Sequence, residues 1–395
     1  AISRLKSITR KPLKVWGISA TIGNLKQAKR VLLGEDLYKH AVEIRSDVEK
    51  KVMVESILPD EVDSLPWSGH LGTHLLHKII PIIQQSKTTL LFTNTRSQTE
   101  LWYQAIVNNY PEMAGVIAMH HGSINQDIRI WVEEALHAQK LKCVVCTSSL
   151  DLGVDFRPVD TVIQIGGPKG VSRFFQRAGR SGHRPGEVSK IYFVPTHSLE
   201  LIEASALRQA INDKKFETRK PLEKSMDVLV QYLVTLAVSG GFRPLDILEE
   251  VRNTYSFRLL TSEEWLWALD FITTGGNTLT AYDEFSKVYN DNGVYKIINK
   301  RAATRHKLSI GTIVGDPSLE VRFTSGGYLG TVEEYFASKL NPGDTFWFAG
   351  RNLEFVNIHE LTVRVKKSNK KSGITPAWGG GRLPLSSLLA EGIRE

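Results

Sequence analysis

Residues 88–96 read TTLLFTNTR, a short apolar run that stops on threonine, asparagine and arginine. A run of this length without polar alternation reads as a central strand of a parallel sheet, covered on both faces. Working outward, a helical pattern at 97–108 leads to a strand at 115–119 and a helix at 125–138. The strands KCVVCT (142–147) and TVIQIG (161–166) follow, and a helix from Leu75 to Gln84 precedes. Strands alternating with helices predict an α/β domain over 42–199 with helices on both faces of a parallel sheet. Its first strand is expected within VEIRSDVEKKVMVESI (42–57).

Upstream, LKVWGISAT (13–21) reads as a buried strand ending in small hydroxylated residues, with a helix after it through Leu25, Ala28, Val31 and Leu32. The chain opens at Ala1 directly on a helical pattern (Ile2, Leu5, Ile8), so residues 1–41 are expected to be the end of an α/β unit and the chain a fragment. Beyond Leu199 amphipathic helices run to about Ile272. A short LTAY strand, a DNG turn (291–293) and VYKII follow, predicting a winged-helix domain over 200–298. Short strands between Gly and Pro (VRFTSGGYLGTV, NPGDTFWFAGRNLEFVNI, LTVRVKK) then predict an antiparallel, barrel-like β-domain over 299–395.

Composition narrows the classes. Of 395 residues 42% are hydrophobic and 23% charged, and no apolar run approaches the roughly 18–20 residues of a membrane span. Two cysteines cannot build a disulfide framework, so a cytoplasmic setting is expected. The net charge of +8 favours a polyanionic partner; from Lys296 onward 15 Lys+Arg face 9 Asp+Glu, so +6 of it falls in the last quarter.

Four polar stretches carry chemistry. Thr93, Asn94 and Arg96 close a strand, where open α/β sheets hold their ligands, and all three side chains can donate to phosphate oxygens. HHGS (120–123) also follows a strand. In VVCTSSLDLGVDF (144–156) Thr147 and Ser148 offer donors for a phosphate, and Asp155, after Gly153, can accept from a ribose hydroxyl. QRAGRSGHR (176–184) gathers cations at what reads as a helix start.

The order of SAT (19–21), TNTR, TSSLDLGVD and QRAGR resembles the motif series of superfamily 2 helicases. VWGISATIGN, IGGPKGVSRFFQRAGRSGHR, LVQYLVTLAVSGGF, EEWLWALDF, FWFAGRNLEF and AWGGGRLPLSS narrow the likeness to the Lhr-type DNA helicases, above all the bacterial ligase-associated DEXH-box branch. The resemblance implies two RecA-like lobes, a winged helix and a β-barrel-like domain. It implies ATP-driven 3′-to-5′ translocation on single-stranded DNA or a 3′-tailed duplex. An RNA–DNA hybrid as substrate, a role in DNA repair and ligase or nuclease partners come with it.

By the same likeness Arg180 matches an arginine finger, with Gln176 and Arg177 beside it. His183 stands where many members have the second arginine, leaving Arg184 as its replacement. Gly153, Asp155 and Thr21 fall to the nucleotide. Thr93, Asn94, Arg96, His121, Gly122, Thr147 and Ser148 fall to nucleic acid.

A phosphate loop needs G-x-x-x-x-G-K-[ST], and no Gly-Lys pair occurs in the sequence. ATP and Mg²⁺ are therefore expected to be held mainly outside this chain, which alone should neither hydrolyse ATP nor unwind DNA. Asp60-Glu61-Val62-Asp63 imitates a DExD box but follows SAT and sits in a polar loop, so it reads as linker. Cys143 and Cys146 have CxxC spacing within one strand, which points them to opposite faces, and His120 and His121 diverge likewise, so no metal site is expected.

In SEEWLWALDFI, Trp265, Ala268, Leu269 and Ile272 share the core face, leaving Trp267 and Phe271 opposite. Trp267 is thus either a base-stacking platform or a packing residue against a neighbouring domain. KKSNKK (366–371) reads as a solvated loop tip or a phosphate-backbone contact. A non-enzymatic nucleic-acid-binding accessory module is the competing class.

Overall fold

The computed structural model describes residues 2–19, 21–45, 51–61, 71–151, 159–182, 187–275, 288–308, 318–370, 372–379 and 384–395. Contacts divide the chain into two compact units, residues 46–217 with 315–395 and residues 1–45 with 218–314. Among the described residues no helix is long and apolar enough to cross a membrane.

The larger unit is built on strands β1 (Val52–Ser56), β2 (Thr89–Phe92), β3 (Ile117–His120), β4 (Cys143–Cys146), β5 (Thr161–Ile165) and β6 (Ser189–Val194). All pair in parallel, in the order β1-β6-β5-β2-β4-β3. β2, β4 and β5 are buried along their whole length, in keeping with the apolar runs of β2 and β4, while β5 also buries Gln164. One face is covered by the helices Leu76–Gln85 and Arg96–Asn109, which bury Ile79, Ile83, Trp102 and Ile106 against Leu91, Val145 and Ile163. The other is covered by Gln126–His137, Val171–Ala178 and Leu199–Asn212, through Val132, Phe174 and Leu207. Cys143 belongs to the first core and Cys146 to the second, on opposite faces as their spacing predicts.

In the smaller unit, helices Met226–Val238, Pro244–Arg252 and Ser262–Thr274 enclose a core of Leu233, Ile247, Trp265 and Ile272. The third starts at a capping box between Thr261 and Glu264 and stops at Gly275 (φ 78°), a left-handed cap. The hairpin of β7 (Tyr289–Asp291) and β8 (Val294–Lys296) follows, and Tyr295 pairs with Phe242 between the first two helices. Three helices closed by this ribbon make the expected winged helix.

Residues 9–19 form no strand: Trp16 and Ile18 are 85% and 95% exposed, and no sheet partner lies beside them among the described residues. The expectation of a buried strand there is corrected, because pairing, not composition, makes a strand. Helix Ile2–Ile8 instead joins the winged-helix unit, where buried Glu250 accepts from Arg4 (3.1 Å), Ser7 (2.8 Å) and Tyr232.

The contacts also draw other boundaries than 42–199, 200–298 and 299–395. Helix Leu199–Asn212 packs on the parallel sheet, so the division falls after Glu217. The final sheet joins the same unit. It comprises β9 (Ser318–Phe323), β10 (Tyr328–Glu333), β11 (Thr345–Phe348), β12 (Arg351–His359) and β13 (Thr362–Lys367), in the order β10-β9-β13-β12-β11. Two antiparallel groups meet where β9 and β13 run parallel, so the sheet is mixed, not antiparallel throughout. Its edges β10 and β11 do not pair, so among the described residues it is open rather than a closed barrel.

Candidate functional site

The polar loops after the parallel strands share one edge of the sheet. The helix after β2 covers one face and the helix after β5 the other, so the gap between these neighbouring strands is a topological switch point, where α/β sheets hold ligands. Asn94 spans it, donating from Nδ2 to the Gly167 carbonyl at 2.8 Å. Thr95 caps the helix Arg96–Asn109 by accepting from the Gln98 N–H at 3.1 Å. Arg96 is exposed and donates to Ser123 Oγ at 2.9 Å. Gly122 and Ser148 are exposed on the same edge.

The other members of the predicted set lie inside. Thr93 is fully buried, its hydroxyl 2.7 Å from that of Thr99. Thr147 is buried, with its hydroxyl 3.4 Å from Ser149 Oγ. His121 is fully buried, its Nε2 3.2 Å from Glu100 Oε1. These three do not present side chains to a ligand, which corrects the expectation for them.

The HHGS loop has a different task. The Glu100 carboxylate, itself buried, also accepts from the N–H groups of Ala349 (2.8 Å) and Gly350 (3.4 Å) in the β11–β12 turn. Both turn residues have positive φ, 51° and 72°, which turns both N–H groups to one side. The Asn125 N–H donates to Leu329 O at 3.0 Å and the Thr331 N–H to Ser123 O at 2.9 Å. Gly330 (φ 146°) passes so close that a Cβ there would stand 2.0 Å from Ser123 O. The loop after β3 is thus the seat of the final sheet. His120 is buried between Ser149 (2.7 Å) and Glu133 (3.1 Å), and burial pushes its pKa down against the pull of Glu133.

QRAGR ends a helix instead of starting one. Val171–Ala178 begins at the C-terminal edge of β5, and its chain continues to Ser181, which pairs with Val159 just ahead of β5. The Arg180 backbone therefore lies toward the opposite edge from Asn94 and Ser148, its carbonyl accepting from the Val159 N–H at 3.2 Å, while its charge stays within electrostatic reach of Asp151, three residues after Ser148. Burial lowers the Arg180 pKa, with Asp151 acting against it. Gln176 is half-buried nearby.

Arg177 is 1% exposed. Its guanidinium donates to both Asp151 oxygens (2.8 and 3.3 Å) and to Gln164 (2.6 Å), and lies 4.7 Å from the Phe92 ring centre. Three of its N–H groups are engaged by the protein, an arrangement that fits a structural ion pair better than the catalytic role expected. Arg184, Gly153 and Asp155 lie outside the described residues.

Sequence reasoning missed the clamp at the other end of this helix. Glu217 accepts from the N–H groups of Val171 (2.5 Å) and Ser172 (2.8 Å), from the Ser172 hydroxyl, and from Ser386 Oγ (2.9 Å). Burial opposes its charge, yet these donors hold its carboxyl below the usual range. The one signal in the sequence is the helix start PKGVS, which has no acid of its own to meet its free N–H groups.

In the winged-helix unit Trp267 is 49% exposed and stacks on Phe271 with ring centres 5.2 Å apart, on the face predicted. Thr21 is buried, and its N–H points to Ser19 Oγ at 3.5 Å. Among the described residues no group of three or more His, Cys, Asp or Glu is placed to hold a metal.

The chain resembles known proteins along nearly its whole length. The helicase conserved C-terminal domain matches residues 73–185, and the winged helix domain of the large helicase-related protein matches 209–375. The chain is 32% identical over 397 residues to ATP-dependent helicase Lhr-Core protein 2 of Thermococcus barophilus, covering 99% of this chain and 46% of that protein. It is 31% identical over 376 residues to ATP-dependent helicase Lhr-Core of Sulfolobus acidocaldarius, covering 94% and 42%. The structure of Mycobacterium smegmatis helicase Lhr bound to ssDNA and AMP-PNP superposes with a TM-score of 0.71 at 25% identity, covering 82% of this chain and 41% of that one. The chain thus spans less than half the length of these relatives. A helicase C-terminal domain, an Lhr-type winged helix and relatives aligned along nearly its whole length show the chain to be homologous to part of the Lhr helicases.

Proposed function

We propose that this chain is the finger-bearing and DNA-contacting part of an ATP-driven, 3′-to-5′ translocase on single-stranded DNA, acting in DNA repair. The supporting observation is the polarity of the lobe: exposed Arg96 and Ser148 with half-buried Asn94 at one sheet edge, and the Arg180 backbone toward the other, joined through the half-buried helix Val171–Ala178. The relative from M. smegmatis, bound to ssDNA and AMP-PNP, supports both ligands.

In this reading Asn94, Arg96, Ser148 and the Gly122 backbone donate to the phosphates of the tracked strand, and Trp267 stacks on a base. Arg180, with Gln176 beside it, places a partly desolvated cation against the nucleotide phosphates, where charge grows as the phosphoryl group transfers. Arg177 holds Asp151 and Gln164 so that the finger is rigidly mounted. Arg184, Gly153, Asp155 and Thr21 remain assigned by resemblance, to the nucleotide side. ATP and Mg²⁺ are gripped by a lobe with a phosphate loop, a motif this sequence does not contain.

In the longer protein Arg180→Ala should lower ATP turnover by roughly 10³–10⁵ while single-strand affinity holds; unchanged turnover overturns the finger. DNA-stimulated ATPase from the pure 395-residue chain overturns the division of labour. A non-enzymatic accessory module would show strand binding with no ATP-dependent step in any longer form. Unwinding of 3′-tailed against 5′-tailed duplexes tests direction, and the same assay on RNA–DNA hybrids tests substrate range. Ligase and nuclease partners are the further expectation of the repair role.

A further inference from the structure

The third helix of the winged-helix unit, Ser262–Thr274, sits where helix-turn-helix proteins place their recognition helix. It carries Glu263, Glu264 and Asp270 and no lysine or arginine. Its solvent side adds Leu266, Trp267 and Phe271. Glu264 is paired with Lys224 at 2.8 Å, which leaves Glu263 and Asp270 as the exposed acids of a helix that offers a phosphate no cation of its own.

The cations stand one element later. Between Val294 and Gly315 the sequence has no acid, and it holds Lys296, Lys300, Arg301, Arg305 and Lys307, five of the 15 Lys+Arg of the last quarter. Lys296 is paired with Asp291. The other four lie on the helix Lys300–Leu308, all exposed. The helix leans on Met226–Val238 through His306, whose Nε2 is 2.9 Å from Thr235 Oγ1.

Among the described residues, half of this charge sits where the helix itself does not favour it. Arg305 and Lys307 in the last turn complement the helix dipole, but Lys300 and Arg301 in the first turn oppose it, with no acid there to offset them. Cations kept where they destabilise their own helix are accounted for by an external anion.

We propose that the helix Lys300–Leu308 binds the phosphate backbone of single-stranded DNA, leaving the acidic third helix to contacts other than phosphate. This rests on the reading of the chain as a single-strand translocase. Each phosphate neutralised on a single strand adds about 0.7 to the slope of log affinity against log salt.

The test is anisotropy titration of a labelled oligothymidylate with the 395-residue chain at several salt concentrations. The variant Lys300→Gln with Arg301→Gln should lower the slope by roughly 1.4 and weaken binding at 0.1 M salt by roughly 25-fold. Both residues are exposed, so circular dichroism should be unchanged. The variant Lys366→Gln with Lys367→Gln removes equal charge from the β13 end. An equal drop there marks a general charge effect and overturns the assignment. An unchanged slope in the helix variant overturns it too, while leaving the translocase reading standing. No binding by the unaltered chain overturns both.

Discussion

Arg177→Met removes a guanidinium while keeping most of the side-chain volume over the Phe92 ring. It leaves the Asp151 carboxylate, 6% exposed, and the fully buried Gln164 Oε1 without their main donor. Breaking one side of a buried pair costs about 3–5 kcal/mol, because the remaining charge is uncompensated. Asp151 retains Arg173 at 3.9 Å, which places the loss at the lower end, about 3 kcal/mol. For a unit of this size each kcal/mol lowers the melting temperature by roughly 2–4 °C, so a fall of about 6–12 °C is expected in scanning calorimetry. Adding Asp151→Leu removes the stranded charge and should restore most of it. A melting temperature unchanged in Arg177→Met, with ATP turnover abolished in the longer protein, would refute the structural role and return Arg177 to catalysis.

Glu217→Ala should destabilise the helix start by about 1–2 kcal/mol and speed hydrogen exchange at Val171 and Ser172; because the Glu217 carboxyl is held low, the same contribution fades only as pH drops below the usual carboxylate range. Burial pushes the Cys143 thiol up to about 12 and that of Cys146 up as well, so the unfolded chain loses these protons first and stability should fall above about pH 8.5 by roughly 1.4 kcal/mol per pH unit for each thiol. Denaturant melts at pH 8 to 10 check this, with Cys143→Ala expected to flatten the slope. Gly330→Val should loosen the final sheet, since its Cβ would meet Ser123 O, and a new protease-sensitive site near the β10 edge would report it.

The parallel sheet was readable because β2 and β4 are buried on both faces and so carry unbroken apolar runs. β6 was overlooked: exposed Lys190 and half-buried Tyr192 interrupt its pattern, and only pairing with β1 and β5 makes it a strand. The strand ends were located correctly, but not which of their side chains reach the surface. His121 is enclosed by residues such as Trp378, 5.7 Å away in space and over 250 residues away in sequence, which no local pattern contains. Arg177 could have been told from Arg180, since it shares the inward stripe of Val171, Phe174 and Ala178, whereas Arg180 falls beyond the helix end.

The carboxylate of Glu100 gives the molecule a rule about how it can be divided. One buried group serves a histidine in the loop after β3 of the lobe and a turn contributed from almost 250 residues later. A shortened chain ending before Ala349 would leave that carboxylate enclosed without its backbone donors, and a lone final sheet would present a turn whose N–H groups face no acceptor. The lobe and the final sheet therefore belong to one unit, and a substitution of Glu100 reaches His121 and the β11–β12 turn at once. The three helices and ribbon of the smaller unit are carried between two stretches of chain that belong to the larger one.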